Sequence, residues 1–194
     1  MNTLGYGPNL LFLIWIRNKH ALFLLNHKLN KQLYYQKLII ALTTKEIGNN
    51  DYGVFKIWKV NGKTHKDDGP ACIYNISKEN PNGTEYVYHI NGELHRDDGP
   101  AWIQGISKEN PNGTTHVYYQ NNKLHRGLSQ DGKVGPAYIS GISINNPNGI
   151  IRYYYQHGIP HRDDGPSVIY GISAETPNGT YKEYFQHGVK VEPF

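Results

Sequence analysis

An internal repeat constrains the fold of this 194-residue chain more than any local pattern does. One motif occurs at Lys59–Ala71, His89–Ala101 and His157–Ser167, with a degraded copy over Asn121–Ala137. The triplet Pro-Asn-Gly recurs at 81–83, 111–113, 147–149 and 177–179, at intervals of 30, 36 and 30 residues. Because units of this size bury a core only by stacking on their neighbours, the sequence predicts a repeat array. We place about four and a half repeats in residues 51–194 and a separate segment in residues 1–50.

Each repeat has the residue pattern of a β-hairpin. In the second copy, residues 84–90 and 100–106 are short, rich in β-branched and aromatic residues, and bounded by Gly, Pro, Asn or Asp. The tetrapeptide Asn80–Gly83 suits a type I turn, because proline presets φ and glycine accepts a left-handed conformation. No stretch is long enough for a crossover helix. We therefore predict a mainly β fold: an antiparallel meander of repeated β-hairpins, an elongated array, with a short α-helical N-terminal segment.

Two apolar patterns predict how the hairpins pack. An aromatic residue recurs at one place in every copy, at Trp58, Tyr88, Tyr118, Tyr154 and Tyr184. We expect these rings to form a row on one face of the sheet, each contacting the next repeat. Ile103 and Ile106 are three residues apart, and their counterparts recur in the other copies, so simple alternation would place them on opposite faces. Because Gly105 tolerates positive φ, we expect a β-bulge that returns both isoleucines to one side.

The N-terminal segment has a different periodicity and charge. Apolar residues recur at three- and four-residue intervals over residues 8–46, which predicts two or three short helices that cap the sheet. Residues 1–50 carry six Lys or Arg and one acidic residue, whereas residues 51–194 carry fourteen and fifteen. The nearly neutral array argues against a groove that follows nucleic-acid phosphates. Leu10–Ile16 is too short to span a bilayer, and we expect a buried helix there, with a membrane-associated helix as the alternative.

Few features of the sequence suggest a cofactor or a secretory route. Cys72 is the single cysteine, so neither a disulfide framework nor a cysteine-rich zinc site is expected. No basic stretch precedes the first apolar run, and we read no signal peptide. We therefore expect an intracellular, cytoplasmic protein without a cofactor.

A polar motif in the connecting loops has the residue types of a reactive site. Its members are His65, Asp67, Asp68, His95, Asp97, Asp98, His161, Asp163 and Asp164. Imidazole and carboxylate groups can bind a metal or transfer protons. However, the motif recurs in three loops, and the third copy, His125–Gly132, lacks the Asp pair. We expect a structural role, in which Asp accepts local backbone N–H groups and His and Arg bond to the neighbouring repeat's carboxylate, and we expect neither metal nor catalysis. No phosphate-binding loop, metalloprotease or hydrolase motif is present.

The repeat unit resembles a known family. Aromatic-x-x-Asn-Gly-x-x-His-Arg-Asp-Asp-Gly-Pro-Ala, found at Tyr88–Ala101 and nearly so at Trp58–Ala71 and Tyr154–Ser167, resembles the MORN-like repeats of large DNA viruses and of some bacteria and phages. The resemblance covers about residues 52–190 and implies a β-hairpin array for protein or membrane-lipid contact, without catalysis. It also implies the host cytoplasm as location if the protein is viral.

The N-terminal segment looks like a second module. Residues 7–14, followed by Leu22–Leu29 and Leu33–Tyr35, resemble an F-box, which in viral proteins can precede repeats. An F-box implies docking to a Skp1-like adaptor and recruitment of a target to ubiquitination.

These patterns favour a non-enzymatic scaffold that binds a protein partner. The predicted contact residues are Trp102, Tyr119, Tyr138, Tyr155 and Phe185, which we place on the strand face opposite the aromatic row. The alternative is that these rings form a second, covered layer. Two further functions stay open: an F-box-like adaptor, and an adaptor that binds a membrane or nucleic acid through basic residues 17–45, although nucleic acid is the least expected partner. Carbohydrate binding by Tyr and Trp is also chemically reasonable.

Overall fold

The structure is a computed structural model that describes residues 27–33, 43–127 and 134–193. The chain divides into two units, Met1–Thr43 and Thr44–Phe194. In the described part of the first unit, residues 27–33 form a helix whose side chains are all exposed. The short helical element predicted near the N-terminus is therefore present, and the other helices predicted over residues 8–46 fall largely outside the described residues.

The second unit is built on one 11-stranded sheet. Its strands are β1 (Thr43–Asn50), β2 (Gly53–Val60), β3 (Lys63–Thr64), β4 (Cys72–Ile76), β5 (Glu85–Val87), β8 (Trp102–Gln104), β9 (Thr115–Val117), β12 (Tyr138–Ser140), β13 (Ile151–Tyr153), β16 (Val168–Tyr170) and β17 (Tyr181–Glu183). They follow one another in the order β1-β2-β4-β5-β8-β9-β12-β13-β16-β17, with β3 paired to β2. The predicted antiparallel meander is confirmed.

Four small hairpins extend the repeats beyond the main sheet. They are β6 (His89–Ile90) with β7 (Glu93–Leu94), β10 (Tyr119–Gln120) with β11 (Lys123–Leu124), β14 (Tyr155–Gln156) with β15 (Ile159–Pro160), and β18 (Phe185–Gln186) with β19 (Val189–Lys190). Each follows a main-sheet strand after one residue that belongs to neither strand, as Tyr88 separates β5 from β6. We call these four hairpins the tips.

The N-terminal boundary of the sheet differs from the prediction. Residues 43–50, which were expected in the helical segment, form strand β1 and pair with β2. The strand has β-branched Thr43, Thr44 and Ile47, and a turn at residues 51–52 leads directly into β2. Pairing with β2 outweighs the weak helical spacing of these residues, because helix propensity is a small term compared with a strand ladder.

The turns adopt the predicted conformations. The Gly83 N–H donates to the Asn80 carbonyl oxygen at 2.9 Å, and the φ angle of Gly83 is 80°. At the tips, Asn91 and Gly92 have φ angles of 54° and 89°, which is the pattern of a type I′ hairpin turn. His157 takes the Asn position in a later tip with a φ angle of 51°. These tight turns set the register of each hairpin.

The predicted bulge is confirmed. Asn75, Gly105, Gly141 and Gly171 have φ angles of 57°, 69°, 72° and 67°. In the fourth repeat, Ile169 and Ile172 are 7% and 5% exposed and both lie against Gly179. They form a buried cluster with Tyr154 of the aromatic row. We call this side of the sheet the isoleucine face.

Strand register separates the isoleucine face from its opposite. Ile103 pairs with Tyr86 and His116, and its counterparts Ile139 and Ile169 occupy the same row. The residues directly before and after each of these positions along a strand have their side chains on the other face of the sheet. That opposite face carries two directly paired sets of tyrosines. Tyr138 of β12 pairs with Tyr153 of β13, and Tyr170 of β16 pairs with Tyr181 of β17. We call it the tyrosine face.

Cations from the loops cover the aromatic row on the isoleucine face. Arg96 lies 4.0 Å from the ring centroid of Tyr88. Arg126 and Arg162 lie 4.1 Å from the rings of Tyr118 and Tyr154. The partner of these three rings is thus the loop cation of the same repeat, as Lys66 is for Trp58, a cation–π contact that the sequence pattern did not predict.

Candidate functional site

Four tyrosines on consecutive strands form a connected cluster on the tyrosine face. Tyr138 and Tyr153 stack with ring centroids 5.0 Å apart and planes 17° apart. Tyr153 meets Tyr170 edge-on at 5.7 Å, and Tyr170 meets Tyr181 edge-on at 5.7 Å. The first three rings are half-buried and Tyr181 is 51% exposed. We call these four residues the tyrosine cluster, which offers apolar area and hydroxyl groups on a rigid support.

The hydroxyl groups of the cluster are partly engaged with one another. The hydroxyls of Tyr153 and Tyr170 lie 2.7 Å apart. Burial, and next the bond to Tyr170, raise the pKa of Tyr153. Tyr153 is therefore neutral at physiological pH, and its hydroxyl takes part in a hydrogen bond as a neutral group.

The cluster ends at an acidic group on β17. The Tyr181 hydroxyl and the Lys190 Nζ each donate to Glu183 Oε1 at 2.9 Å. The bond from Lys190, followed by the bond from Tyr181, lowers the pKa of the Glu183 carboxyl. The carboxylate fixes the exposed ring of Tyr181, which keeps the end of the cluster ordered.

A second patch lies further along the tyrosine face. The Trp102 indole Nε1–H donates to Glu85 Oε1 at 2.7 Å, while the ring stays half-buried between Val87 and Val117 on the flanking strands. A hydrogen bond of 3.3 Å joins the Thr115 and Ser140 hydroxyls. This part of the face combines one large aromatic ring with satisfied polar groups.

The predicted contact residues divide between the main sheet and the tips. Trp102 and Tyr138 lie on the tyrosine face of the main sheet. Tyr119, Tyr155 and Phe185 each begin the first strand of a tip. The carbonyl oxygens of Tyr119 and Phe185 accept the N–H groups of Arg96 and Arg162 from the preceding loops, at 3.2 Å in both cases. All five residues are half-buried, so the rings are neither fully covered nor fully free.

Sequence analysis missed three of the four tyrosines in the cluster. Tyr153, Tyr170 and Tyr181 occupy different places in their repeats, so a search for one repeated position does not collect them. The register brings them together because Tyr153 is cross-strand to Tyr138, and Tyr181 is cross-strand to Tyr170. The available signal was the alternation of side chains between the two faces of the sheet along each strand.

The loop motif has a structural geometry, with one correction to the prediction. His65 Nε2 lies 3.1 Å from Asp67 Oδ1, and the Lys66 Nζ lies 3.5 Å from Asp68. The other copies repeat these pairs as His95 with Asp97, Arg96 with Asp98, His161 with Asp163 and Arg162 with Asp164. The predicted bonds to the neighbouring repeat's carboxylate are therefore wrong, because a two-residue separation lets His and Arg reach the carboxylates of their own loop first.

Contacts between repeats run through the other ring nitrogen of each histidine. His65 Nδ1 accepts the Asn91 N–H at 3.0 Å, and His161 Nδ1 accepts the His187 N–H at 3.0 Å. A nitrogen that accepts an N–H carries no proton, so the proton lies on Nε2, which donates to Asp67 or Asp163. The contact between the second and third repeats is less regular. There His95 Nδ1 lies 3.3 Å from the Asn121 backbone nitrogen and 3.0 Å from the Asn121 side-chain oxygen.

A recess of about 630 Å³ separates the first two loops. Its charged lining consists of the loop pairs, such as Lys66 with Asp68 and Arg96 with Asp98. The Arg96 guanidinium holds the pKa of the Asp98 carboxyl below its ordinary value. In the described residues, no group of three or more His, Cys, Asp or Glu side chains is placed to hold a metal ion.

Two buried polar groups lie apart from these contacts. Burial raises the pKa of Tyr74 to about 12, with a smaller contribution from its hydrogen bond to Cys72. His89 Nδ1 is buried without a hydrogen-bond partner, and burial lowers the His89 pKa. Tyr119 and Tyr155 take the place of His89 in later tips, so this histidine belongs to one repeat alone.

The comparisons add no relative to these observations. The chain matches no known protein family, no curated protein and no solved structure. The resemblances to MORN-like repeats and to an F-box therefore stay predictions from motifs. Over the described ranges, no helix has the length and apolar character needed to cross a membrane.

Proposed function

We propose that this protein is a non-enzymatic interaction scaffold, in the manner of MORN-like repeats, which binds a protein partner on its tyrosine face. The observation that carries the proposal is the tyrosine cluster, with three ring contacts linking Tyr138, Tyr153, Tyr170 and Tyr181 across neighbouring strands. Tyrosine supplies contact area with little loss of side-chain entropy and is enriched where partners bind.

The support beneath the cluster favours recognition of a protein surface. The paired strands hold the four rings in fixed positions, so binding does not have to order them. The hydroxyl pair of Tyr153 and Tyr170 and the carboxylate of Glu183 place polar groups within the apolar area. A central aromatic area with polar groups at its margin is the usual composition of a protein interface.

The loop histidines favour a structural role over catalysis. Each is spaced one repeat from the next, and His65 and His161 each use both ring nitrogens, one toward Asp and one toward a backbone N–H. A general base needs a free nitrogen directed at a substrate. Repeated pairs along an array supply no such convergence, so we propose binding without a chemical step.

The experiment starts from affinity capture with the full chain, followed by identification and purification of the captured protein. Its affinity is then measured for wild type and for a Tyr138→Ala/Tyr170→Ala variant. We expect at least a tenfold loss, about 1.4 kcal/mol, because aromatic residues at the centre of an interface dominate its energy. Lys182→Ala is the control, since Lys182 lies on the isoleucine face of β17 and is exposed. Equal affinities of wild type and the tyrosine variant would refute the proposed face.

Salt dependence distinguishes this proposal from an adaptor that works through the basic residues 17–45. Binding through the tyrosine face is expected to change little between low and physiological salt, whereas phosphate or anionic lipid binding weakens steeply. Direct binding of a purified Skp1-like protein to the full chain tests the F-box-like alternative. Residues 7–14, 22–26 and 34–35 of that resemblance lie outside the described residues.

A further inference from the structure

The junction between the third and fourth repeats brings two histidines together. His125 Nδ1 accepts the His157 N–H at 3.2 Å. The two imidazole rings stack with centroids 4.4 Å apart and planes 21° apart. Beside them, the Gly158 N–H donates to the Leu124 carbonyl oxygen at 2.8 Å. These bonds hold the tip β14–β15 against the preceding tip β10–β11.

This junction differs from the others in the residue that follows the His-Arg or His-Lys pair of the loop. Gly127 stands where the other loops have Asp67, Asp97 and Asp163. A side-chain carbon placed on Gly127 would lie 3.9 Å from His125 Nε2. Among the residues that the structure describes, His125 takes part in no ion pair, whereas His161 lies 3.3 Å from Asp163.

In the described part of the loop and tips, the ionisable groups beside His125 are Arg, Lys and His side chains. On its own loop and tip these are Arg126, which lies over the Tyr118 ring, and Lys123, whose stem contacts the next tip at Gly158. The fourth repeat contributes His157. No carboxylate among the described groups offsets a charge on His125. Burial, and next the proximity of His157, lower the His125 pKa.

We propose that this junction is an acid-sensitive release point in the array. Protonation of His125 places a hydrogen on Nδ1, which removes the acceptor of the His157 N–H. A proton on His157 as well would set two cationic rings in contact. The tip β14–β15 then separates from the tip β10–β11, while the main-sheet pairing of β12 with β9 and β13 is unaffected. This inference is independent of the proposed tyrosine-face function.

The direction of the pH dependence follows from linkage. The closed junction binds the His125 proton less readily than the open one, so the closed form is favoured above the ordinary histidine value of 6.5 and is progressively lost below it. One proton increases the open population by at most about tenfold per pH unit. The His161–His187 junction has rings 4.3 Å apart but includes Asp163, which makes it an internal reference.

Amide hydrogen exchange of the full chain, resolved by residue and corrected for the intrinsic pH dependence of exchange, tests the proposal. Between pH 7.5 and 5.5 we expect protection of the His157 and Gly158 amides to fall several-fold more, up to about tenfold, than that of His187 and Gly188. Gly127→Asp restores the missing carboxylate, and His157→Asn restores the residue of earlier tips. Gly127→Asp is expected to bring the fall close to that of the reference junction. His157→Asn removes the second ring but keeps His125 Nδ1 as the acceptor, so it is expected to reduce the fall only in part.

Three results would overturn the proposal. The first is an equal fall of protection at the two junctions of the wild type. The second is a wild-type-like fall in both Gly127→Asp and His157→Asn. The third comes from Asp131→Asn, a variant of a residue outside the described ranges: a steeper fall than in wild type would show that Asp131 already supplies a carboxylate to His125.

Discussion

Truncation of one ring in the aromatic row should strongly destabilise the array. Tyr154 is 5% exposed and packs with Ile169 and Ile172, and Arg162 lies 4.1 Å from its ring centroid. Removal of a buried aromatic side chain costs about 3–5 kcal/mol, and loss of the cation–π contact adds about 0.5–2 kcal/mol. We therefore expect Tyr154→Ala to lower the free energy of unfolding by about 3.5–7 kcal/mol.

Urea unfolding followed by circular dichroism measures this loss. Tyr181→Ala, at a site 51% exposed, is the matched control and should shift the midpoint far less. A double-mutant cycle of Tyr154→Leu with Arg162→Ala isolates the ring–cation contact, with an expected coupling of about 0.5–2 kcal/mol. Equal midpoints for Tyr154→Ala and Tyr181→Ala would refute the assignment of the row as the core of the array, and a coupling of zero would refute the contribution of the ring–cation contact.

Substitutions at three further sites test the bulge, the packing beside the row and the half-buried His89. Gly171→Ala should cost about 1–2 kcal/mol in urea unfolding, because its φ angle is 67° and the added methyl group meets Thr180. Ala101→Val should cost about 1–3 kcal/mol, since Ala101 is 0% exposed, whereas Ala101→Ser should be tolerated because Ser167 occupies the same place in the fourth repeat. His89→Tyr should weaken the pH dependence of the urea midpoint. Burial lowers the His89 pKa, so neutral His89 is compatible with the fold above pH 6.5, and the wild type loses stability as the pH falls below that value. An unchanged pH profile in this variant would contradict that role.

The repeat pattern was sufficient to predict the hairpins, their turns and the bulge. Asn80-Pro81-Asn82-Gly83 specifies its backbone conformation by local sterics and forms as predicted, and Asn91-Gly92 adopts the positive φ angles that Asn and Gly tolerate. The spacing of Ile169 and Ile172, with Gly171 between them, required an irregularity that keeps both side chains on one face. These features depend on residues close together in the chain, which is why a single sequence reveals them.

The partners of side chains were harder to predict than the backbone. Asp67 and Asp163 were expected to bond across repeats, yet each pairs with the histidine two residues before it. Residues 43–50 were assigned to a helical segment, yet they pair with β2. In both cases two alternatives were compatible with the sequence: a carboxylate of the same or of the next repeat, and a helix or a strand paired with β2. The loop path determines the first and strand pairing determines the second.

The sequence by itself determined that the chain forms stacked β-hairpins, because copies of one turn-rich unit can bury their apolar residues only against each other. Only the tertiary structure decided which side chains meet across strands. Tyr138, Tyr153, Tyr170 and Tyr181 have no common place in the repeat, and register alone gathers them into one cluster. The stacking of His125 on His157 likewise depends on the contact between tips, at a separation along the chain that no local pattern encodes.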